Sequence, residues 1–247
     1  GELTEEELDQ NVARILELAE TYAAPECYDM SAQYIMDMSK QAAYKTACEG
    51  IVMLKNENDI FPIQAKSKAG SDSVFETAVE DDLLSGVVLC GSGAIRLYDC
   101  GTGSAGITTD KDSSIYEGLI QNGVEVSIGI PAAGKRAGIS TYICVARIPG
   151  MEGNDRKDMK LSAEDAQILN QMLDLKRENP LVKLGLILNV SGPVDLALWE
   201  HELDGIFCMF LPGMEGGHAM ADILTGRVNP SGKLPLTFPK KYQDTPT

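Results

Sequence analysis

The chain has 247 residues, 44% of them apolar and 23% charged, with 37 acidic and 21 basic side chains and a net charge of −16. This length and composition are typical of a globular protein with one large domain or two small ones. The negative charge repels nucleic acid and anionic membranes, so we expect neither as a partner, whereas a neutral sugar is not repelled.

Apolar periodicity and turn residues predict alternating helices and strands along most of the chain. Thr4 and Glu7 form a capping box before the first helix. The predicted helices cover 4–19, 30–48, 114–123, a short 132–139, 162–176, 193–200 and 214–225. The predicted strands cover 51–54, 83–90, 124–130, 141–146, 184–190 and 205–211. The sequence therefore predicts an α/β fold, with a mostly parallel sheet sandwiched between helices on both faces.

Three segments of the chain have no helix or strand pattern. Residues 64–82 are polar and are predicted to form a long surface loop. Residues 91–106 are rich in glycine, and 227–247 are predicted to be extended. Gly101–Gly106 spells GxGxxG, but it lies well beyond the strand end at Gly91 and is followed by poor helix formers. We therefore interpret it as a flexible or tightly folded loop, with NAD binding as a distant alternative.

The cysteines and histidines indicate no metal or cofactor. The six cysteines form no CxxC pair, and three of them lie inside predicted strands, where a thiol behaves as a small hydrophobe. We predict reduced thiols and a cytoplasmic location, with a Cys90–Cys100 disulfide and secretion left open. His201 and His218 lack neighbours at metal-ligand spacing, so we interpret them as structural or surface residues. No signal peptide or membrane span is predicted.

The strand 141–146 leads into a loop that holds one conspicuous carboxylate. Glu152 lies next to Gly153 and two residues after Gly150, at the carboxyl end of a predicted strand. Ligands and catalytic groups collect at such ends in open α/β sheets. An exposed loop glutamate is the plain alternative. Asp155 and Arg156 follow it, and we predict that they form an ion pair or orient the loop.

Four segments, in the same order, resemble signatures of family 3 glycoside hydrolases, the β-glucosidase group. They are ACEGIVMLKNEN at 47–58, LNVSGPVD at 188–195, FLPGMEGG at 210–217 and NPSGKLPLTFP at 229–239. Residues 147–156 are similar to the family's acid/base motif, R-x-S-G-E-G-x-D-R, with Met151 as one extra residue. The glycine-rich loop partly matches the family's GGGSG segment.

This resemblance implies a particular domain organisation. Family members have a (β/α)8 barrel followed by an α/β sandwich domain. Residues 1–29 resemble the end of the barrel and its linker, and 30–247 resemble the sandwich. The barrel bears the nucleophilic aspartate in a Ser-Asp motif, whereas the pair Ser71-Asp72 of this chain lies in a polar loop. The chain alone is therefore predicted to be inactive.

The resemblance also implies a reaction, the retaining hydrolysis of a β-linked glycoside or oligosaccharide. Glu152 would be the general acid/base, paired in the complete protein with a carboxylate about 5–5.5 Å away. Its pKa would be raised once barrel and sugar bury it, whereas in this chain we expect it to be exposed and to titrate more normally. The alternative is a non-catalytic carbohydrate-binding or scaffold module of the same fold. Sugar specificity, substrate-binding residues and oligomeric state stay open.

Overall fold

The computed structural model describes residues 3–22, 32–64, 86–108, 113–129 and 139–245, and it divides the chain into two compact units. The first unit, residues 1–38, contains helix α1 (Glu5–Tyr22). The predicted capping box is confirmed, since the Glu7 amide donates to Thr4 Oγ1 at 3.3 Å and the Thr4 amide donates to Glu7 Oε2 at 3.0 Å. The predicted domain boundary at 29/30 lies outside the described residues.

The second unit, residues 39–247, is built on a six-stranded sheet. Its strands are β1 (Val52–Asn56), β2 (Gly86–Cys90), β3 (Val126–Ile128), β4 (Ile139–Ile148), β5 (Lys183–Val190) and β6 (Gly205–Cys208). Their order is β1-β6-β5-β4-β2-β3. The edge strand β1 is antiparallel to β6, and every other neighbouring pair is parallel. The predicted mostly parallel sheet is confirmed.

Apolar side chains fill both faces of this sheet. On one face the end of α2 (Ala32–Gly50), α3 (Ile115–Gln121) and α5 (Gly216–Leu224) bury residues such as Leu119 and Leu224. On the other face α4 (Ala163–Glu178) buries Leu169 and Met172 against β4 and β5. The predicted helices on both faces are thus confirmed. The central strands are apolar on both sides because both sides are covered.

Side-chain caps begin α3 and α4. Ser114 accepts a hydrogen bond from the Glu117 amide at 3.1 Å, and Ser162 accepts one from the Asp165 amide at 3.0 Å. These caps satisfy amides that have no partner within the helix. They fix where each helix leaves the sheet edge, and the second of them also places the buried Asp165.

The structure corrects the sequence at two elements near the carboxyl edge. Residues 193–196 are irregular and 197–200 form a turn, in place of the predicted helix 193–200. The Asp195 carboxylate accepts the Ala197 amide at 3.0 Å, a local bond that competes with helical hydrogen bonding. The predicted strand 205–211 ends at Cys208, because Phe210 takes a left-handed φ of 49° that a strand cannot continue.

Two predicted elements cannot be compared with the structure. Nearly all of the loop 64–82 and of the short helix 132–139 lies outside the described residues, and Ile139 itself belongs to β4. Within the described part, the tail from 227 is irregular apart from one 3-10 turn, Tyr242–Asp244. None of the described helices is long and apolar enough to cross a membrane.

The described cysteines are free thiols, including Cys90 and Cys100, and no disulfide joins them. Cys90 and Cys144 lie opposite each other in register on β2 and β4, and both are buried. A hydrogen bond with the Cys90 thiol, together with burial, raises the pKa of Cys144, so its thiol stays protonated. The predicted role of strand cysteines as small hydrophobes is confirmed.

Candidate functional site

Four loops leave the sheet at one edge, because the strands β2, β4, β5 and β6 run parallel. Glu152 lies on the loop after β4, as the sequence predicts, and its side chain is exposed. The glycine-rich loop after β2 lies against it. The site is therefore built where two loops from neighbouring strands meet.

Backbone contacts hold these two loops together. The Thr102 amide donates to the Gly150 carbonyl at 2.9 Å, and Thr102 forms an isolated parallel bridge with Met151. Met151, the extra residue relative to the family motif, is thus the residue through which the loop pairs with its neighbour. This pairing brings Glu152 directly onto the turn Gly103–Ala105.

The turn can approach Glu152 because residue 103 is glycine. Gly103 has a left-handed φ of +80°, and a Cβ there would lie 3.1 Å from Glu152 Cβ and 3.2 Å from Glu152 Oε2. Both the backbone conformation and the close approach favour glycine. The conspicuous glycines of the GxGxxG string therefore serve a loop contact, and the interpretation of this segment as a folded loop agrees with the structure.

Ser104 supplies the hydrogen bonds to the Glu152 carboxylate. Its backbone amide donates to Glu152 Oε2 at 3.0 Å, and its hydroxyl donates to the same oxygen. These donors lower the pKa of Glu152 below its ordinary value, because they stabilise the ionised form. The expected exposure of Glu152 is confirmed, and its pKa is not raised in this chain, as expected, but lies below the ordinary value. No sequence pattern pointed to Ser104.

The opposite side of the Glu152 loop packs on the segment that follows β5. A Cβ at Gly150 would lie 2.7 Å from Ser191 Cβ, so glycine is required for this approach. Arg156 Nη2 donates to the Pro193 carbonyl at 2.9 Å, while its buried Nη1 lacks a partner among the described residues. The hydrogen bond to Pro193 ties the Arg156 side chain to the segment after β5, which is consistent with a role for Arg156 in orienting the loop. Asp155 is exposed beside it.

Two buried polar side chains fix the loops from below. Asn189 is fully buried, and its Oδ1 accepts the Tyr98 amide at 2.6 Å. Its Nδ2 donates to the carbonyls of Tyr98 and Phe210 at 2.9 and 2.7 Å. Asp165 is also fully buried and accepts the Ser92 amide and hydroxyl at 2.7 and 2.8 Å. Neither residue was identified from the sequence as part of the site.

A cavity of about 630 Å³ opens beside the glycine-rich turn, between Arg96 and Thr108 and up to Arg147. The Arg147 guanidinium lies 4.6 Å from the centre of the Tyr98 ring, in cation–π geometry. Its Nη1 donates to the Arg96 carbonyl at 3.1 Å. The wall of the cavity therefore includes the Arg147 guanidinium and the Tyr98 ring, and it continues to Thr102 and Gly103, next to Glu152.

The described residues contain no group of three or more His, Cys, Asp or Glu side chains that could hold a metal ion. His218 Nδ1 lies 2.7 Å from Glu215 Oε2 at the start of α5, and His201 lies at the surface 3.8 Å from Glu202. Both histidines thus have the structural or surface environments that their sequence context predicts.

The site can now be compared with known proteins. Residues 51–247 match the Glycosyl hydrolase family 3 C-terminal domain. Over its whole length the chain is 31% identical to thermostable beta-glucosidase B of Acetivibrio thermocellus, covering 32% of that protein. It is 24% identical to an exo-alpha-(1->6)-L-arabinopyranosidase of Bifidobacterium breve, of which it covers 33%.

Solved structures give the same result. Beta-glucosidase 3B from Thermotoga neapolitana in complex with alpha-D-glucose matches 99% of this chain with a TM-score of 0.73 at 26% identity, over 37% of its own length. The chain thus spans about a third of the length of these relatives. The match covers the sheet and all four loops of the carboxyl edge, and we conclude that the chain belongs to glycosyl hydrolase family 3, as a C-terminal domain of that family.

Proposed function

We propose that this chain is the domain of a retaining β-glycosidase that supplies the general acid/base, Glu152, and part of the sugar-binding cleft. The nucleophile would come from a barrel domain outside residues 1–247, and a β-linked glycoside or oligosaccharide would bind between the two. The observation that supports this most is the position of Glu152. It is exposed at the carboxyl edge of the sheet, on a loop that contacts the glycine-rich loop on one side and the segment after β5 on the other.

The chemistry follows from this placement. In the first step the protonated Glu152 gives its proton to the glycosidic oxygen while the barrel carboxylate attacks the anomeric carbon. In the second step the ionised Glu152 takes a proton from water, which attacks the same carbon and releases the nucleophile. Burial by the barrel and the sugar would raise the pKa of Glu152, because desolvation disfavours the charged form.

The loop contacts suit this role. A general acid/base must be held in a fixed position relative to the nucleophile, which in this proposal lies on a different domain. The bonds of Thr102 to Gly150 and of Arg156 to Pro193 fix the ends of the short segment that holds Glu152. Asn189 and Asp165 fix the neighbouring loops in turn. The cavity beside Tyr98 and Arg147 offers a surface for the part of the substrate that leaves.

The test is Glu152→Gln in a protein that joins this chain to its barrel. We expect kcat/KM on an alkyl β-glucoside to fall by about 10²–10⁴-fold, since the leaving group then departs without a proton. A dinitrophenyl glycoside should lose far less in the same step, because its leaving group needs no protonation. Glu178→Gln, at the exposed end of α4, is the matched control and should leave both rates unchanged.

Two results would contradict the proposal. Hydrolysis of aryl β-glucosides by the purified 247-residue chain would mean that the nucleophile lies within it. Equal turnover by the Glu152→Gln protein and its parent would remove Glu152 from the chemistry. Sugar binding that persists without any turnover in the joined protein would instead favour the non-catalytic carbohydrate-binding module.

A further inference from the structure

We propose that Ser104 is a positioning residue for Glu152, and that its amide and hydroxyl form a resting latch that must open before Glu152 can act as an acid. The latch is defined by the two hydrogen bonds from Ser104 to Glu152 Oε2. The contact itself is independent of any activity, but its catalytic consequence rests on the proposed acid/base role of Glu152.

The geometry of the turn makes the latch a built feature. Gly103, with its φ of +80°, turns the chain so that the Ser104 amide points at the carboxylate. The preceding residue, Thr102, is fixed by its bond to the Gly150 carbonyl at 2.9 Å. The serine is therefore held by the same strand-like bridge that holds the glutamate. The backbone therefore holds the Ser104 and Glu152 side chains within hydrogen-bonding distance of each other.

Among the residues that the structure describes, the hydrogen bonds to this carboxylate come from the neutral amide and hydroxyl of Ser104. Two arginines near the carboxylate have contacts elsewhere: Arg147 lies over the Tyr98 ring and Arg156 donates to the Pro193 carbonyl. The lowered pKa of Glu152 has the two Ser104 bonds as its causes, with slight desolvation opposing them. Apart from Glu152, the charged groups on the described parts of these loops and at their base are Arg96, Asp99, Arg147, Asp155, Arg156, Lys157, Asp158 and Lys160.

The latch favours one half of the reaction. Both bonds end on Oε2 and both need an acceptor, so they stabilise the carboxylate and oppose its protonation. An ionised Glu152 is the form required when water attacks, whereas a protonated one is required when the glycosidic bond breaks. Covering the loop with substrate must therefore weaken the latch before the first proton transfer.

The first test needs no activity. The carboxyl carbon of Glu152 is followed by NMR during a pH titration of the 247-residue chain and of its Ser104→Ala and Ser104→Thr variants. We expect the pKa of Glu152 to rise in Ser104→Ala, which keeps the amide but loses the hydroxyl, and to stay low in Ser104→Thr. A Glu152 pKa that is the same in all three proteins would overturn the latch.

The second test uses the protein joined to its barrel. The basic limb of the kcat/KM profile reports the acid of the free enzyme, so it should move to higher pH in Ser104→Ala and return in Ser104→Thr. A purely structural serine would lower activity without moving that limb. If Ser104→Ala does not fold, Ser104→Gly serves the same comparison, with amide spectra as the check of folding.

The two proposals fail in different ways. If Glu152→Gln leaves turnover intact while Ser104→Ala still shifts the Glu152 titration, the latch stands and the catalytic role falls. If Glu152→Gln abolishes turnover while Ser104→Ala shifts neither the titration nor the limb, the role stands and the latch falls.

Discussion

The two edges of the sheet use carboxylates in opposite ways. At the amino edge Asp204 is buried and receives the Leu184 amide at 2.7 Å, Asn58 Nδ2 at 2.6 Å and the Lys176 ammonium at 2.6 Å. At the carboxyl edge Glu152 is exposed, and among the described residues Ser104 alone supplies its hydrogen bonds.

This difference separates scaffold from chemistry. A buried charge is tolerated only when its partners satisfy it, so Asp204 belongs to a closed network that joins the turn after β1, α4 and β5. Glu152 forms no ion pair within the described part of the chain and is exposed, so it can change its protonation state at little cost to the fold. We therefore expect substitutions at the amino edge to affect stability, and those around Glu152 to affect its titration and placement.

The largest expected effect is at Lys176. Replacing it with Met keeps the apolar stem but leaves the Asp204 carboxylate without its cation, which should lower the free energy of unfolding by about 3–5 kcal/mol. Urea denaturation monitored by circular dichroism measures this loss. The Glu152 loop should be unaffected, as judged by the chemical shift of the Ser104 amide.

The neighbouring cation on α4 is the matched control. Arg177 pairs with Asp174 at 3.0 Å and with Glu202 at 2.9 Å, but at the surface. Arg177→Met should therefore leave the free energy of unfolding nearly unchanged. If the two variants lose the same free energy, the Asp204 network is not the closed scaffold described above.

The next largest effect on stability is expected at Asn189, the buried residue that fixes the loops on which the candidate site lies. Asn189→Ala leaves the Tyr98 amide and two carbonyls without partners, and we expect a loss of about 2–3 kcal/mol. Unlike Lys176→Met, it should also increase hydrogen exchange at the Tyr98 amide. Asn170→Ala, which loses one bond to the Trp199 indole (3.0 Å), is the control and should cost about 1 kcal/mol.

Local signals in the sequence predicted much of the fold. The capped starts of α1, α3 and α4 depend on residues three positions apart, and the buried strands are continuous apolar runs. The same reasoning placed Glu152 at a strand end. It failed at 193–200, where Pro193 suggested a helix start but the Asp195 side chain captured the Ala197 amide instead.

Local sequence signals could not predict the contacts that define the candidate site. Ser104 and Glu152 are 48 positions apart, and Asn189 and Tyr98 are 91 apart. Nothing in a serine or an asparagine within an apolar or glycine-rich stretch specifies so distant a partner. Only the order of the strands brings these loops to one edge, and that order follows from the packing of the whole sheet.

The smallest expected effect is at Gly150, where stability and site geometry meet. Gly150→Ala would place a Cβ 2.7 Å from Ser191 Cβ, so the Glu152 loop must shift. We expect about 1–2 kcal/mol of destabilisation, in the lower part of the range for overpacked sites because the exposed loop can shift. The chemical shift of the Ser104 amide should change as well. Adding Ser191→Gly removes the obstructing side chain and should restore the amide shift.

Gly153→Ala is the matched comparison within the same loop. Gly153 has a φ of +73°, but a Cβ there meets nothing within 4 Å, so its cost is backbone strain alone. Ser191→Gly should not relieve it, because no contact with Ser191 is involved. If Ser191→Gly rescues both alanine variants or neither, close packing against the segment after β5 is not what sets the position of Glu152.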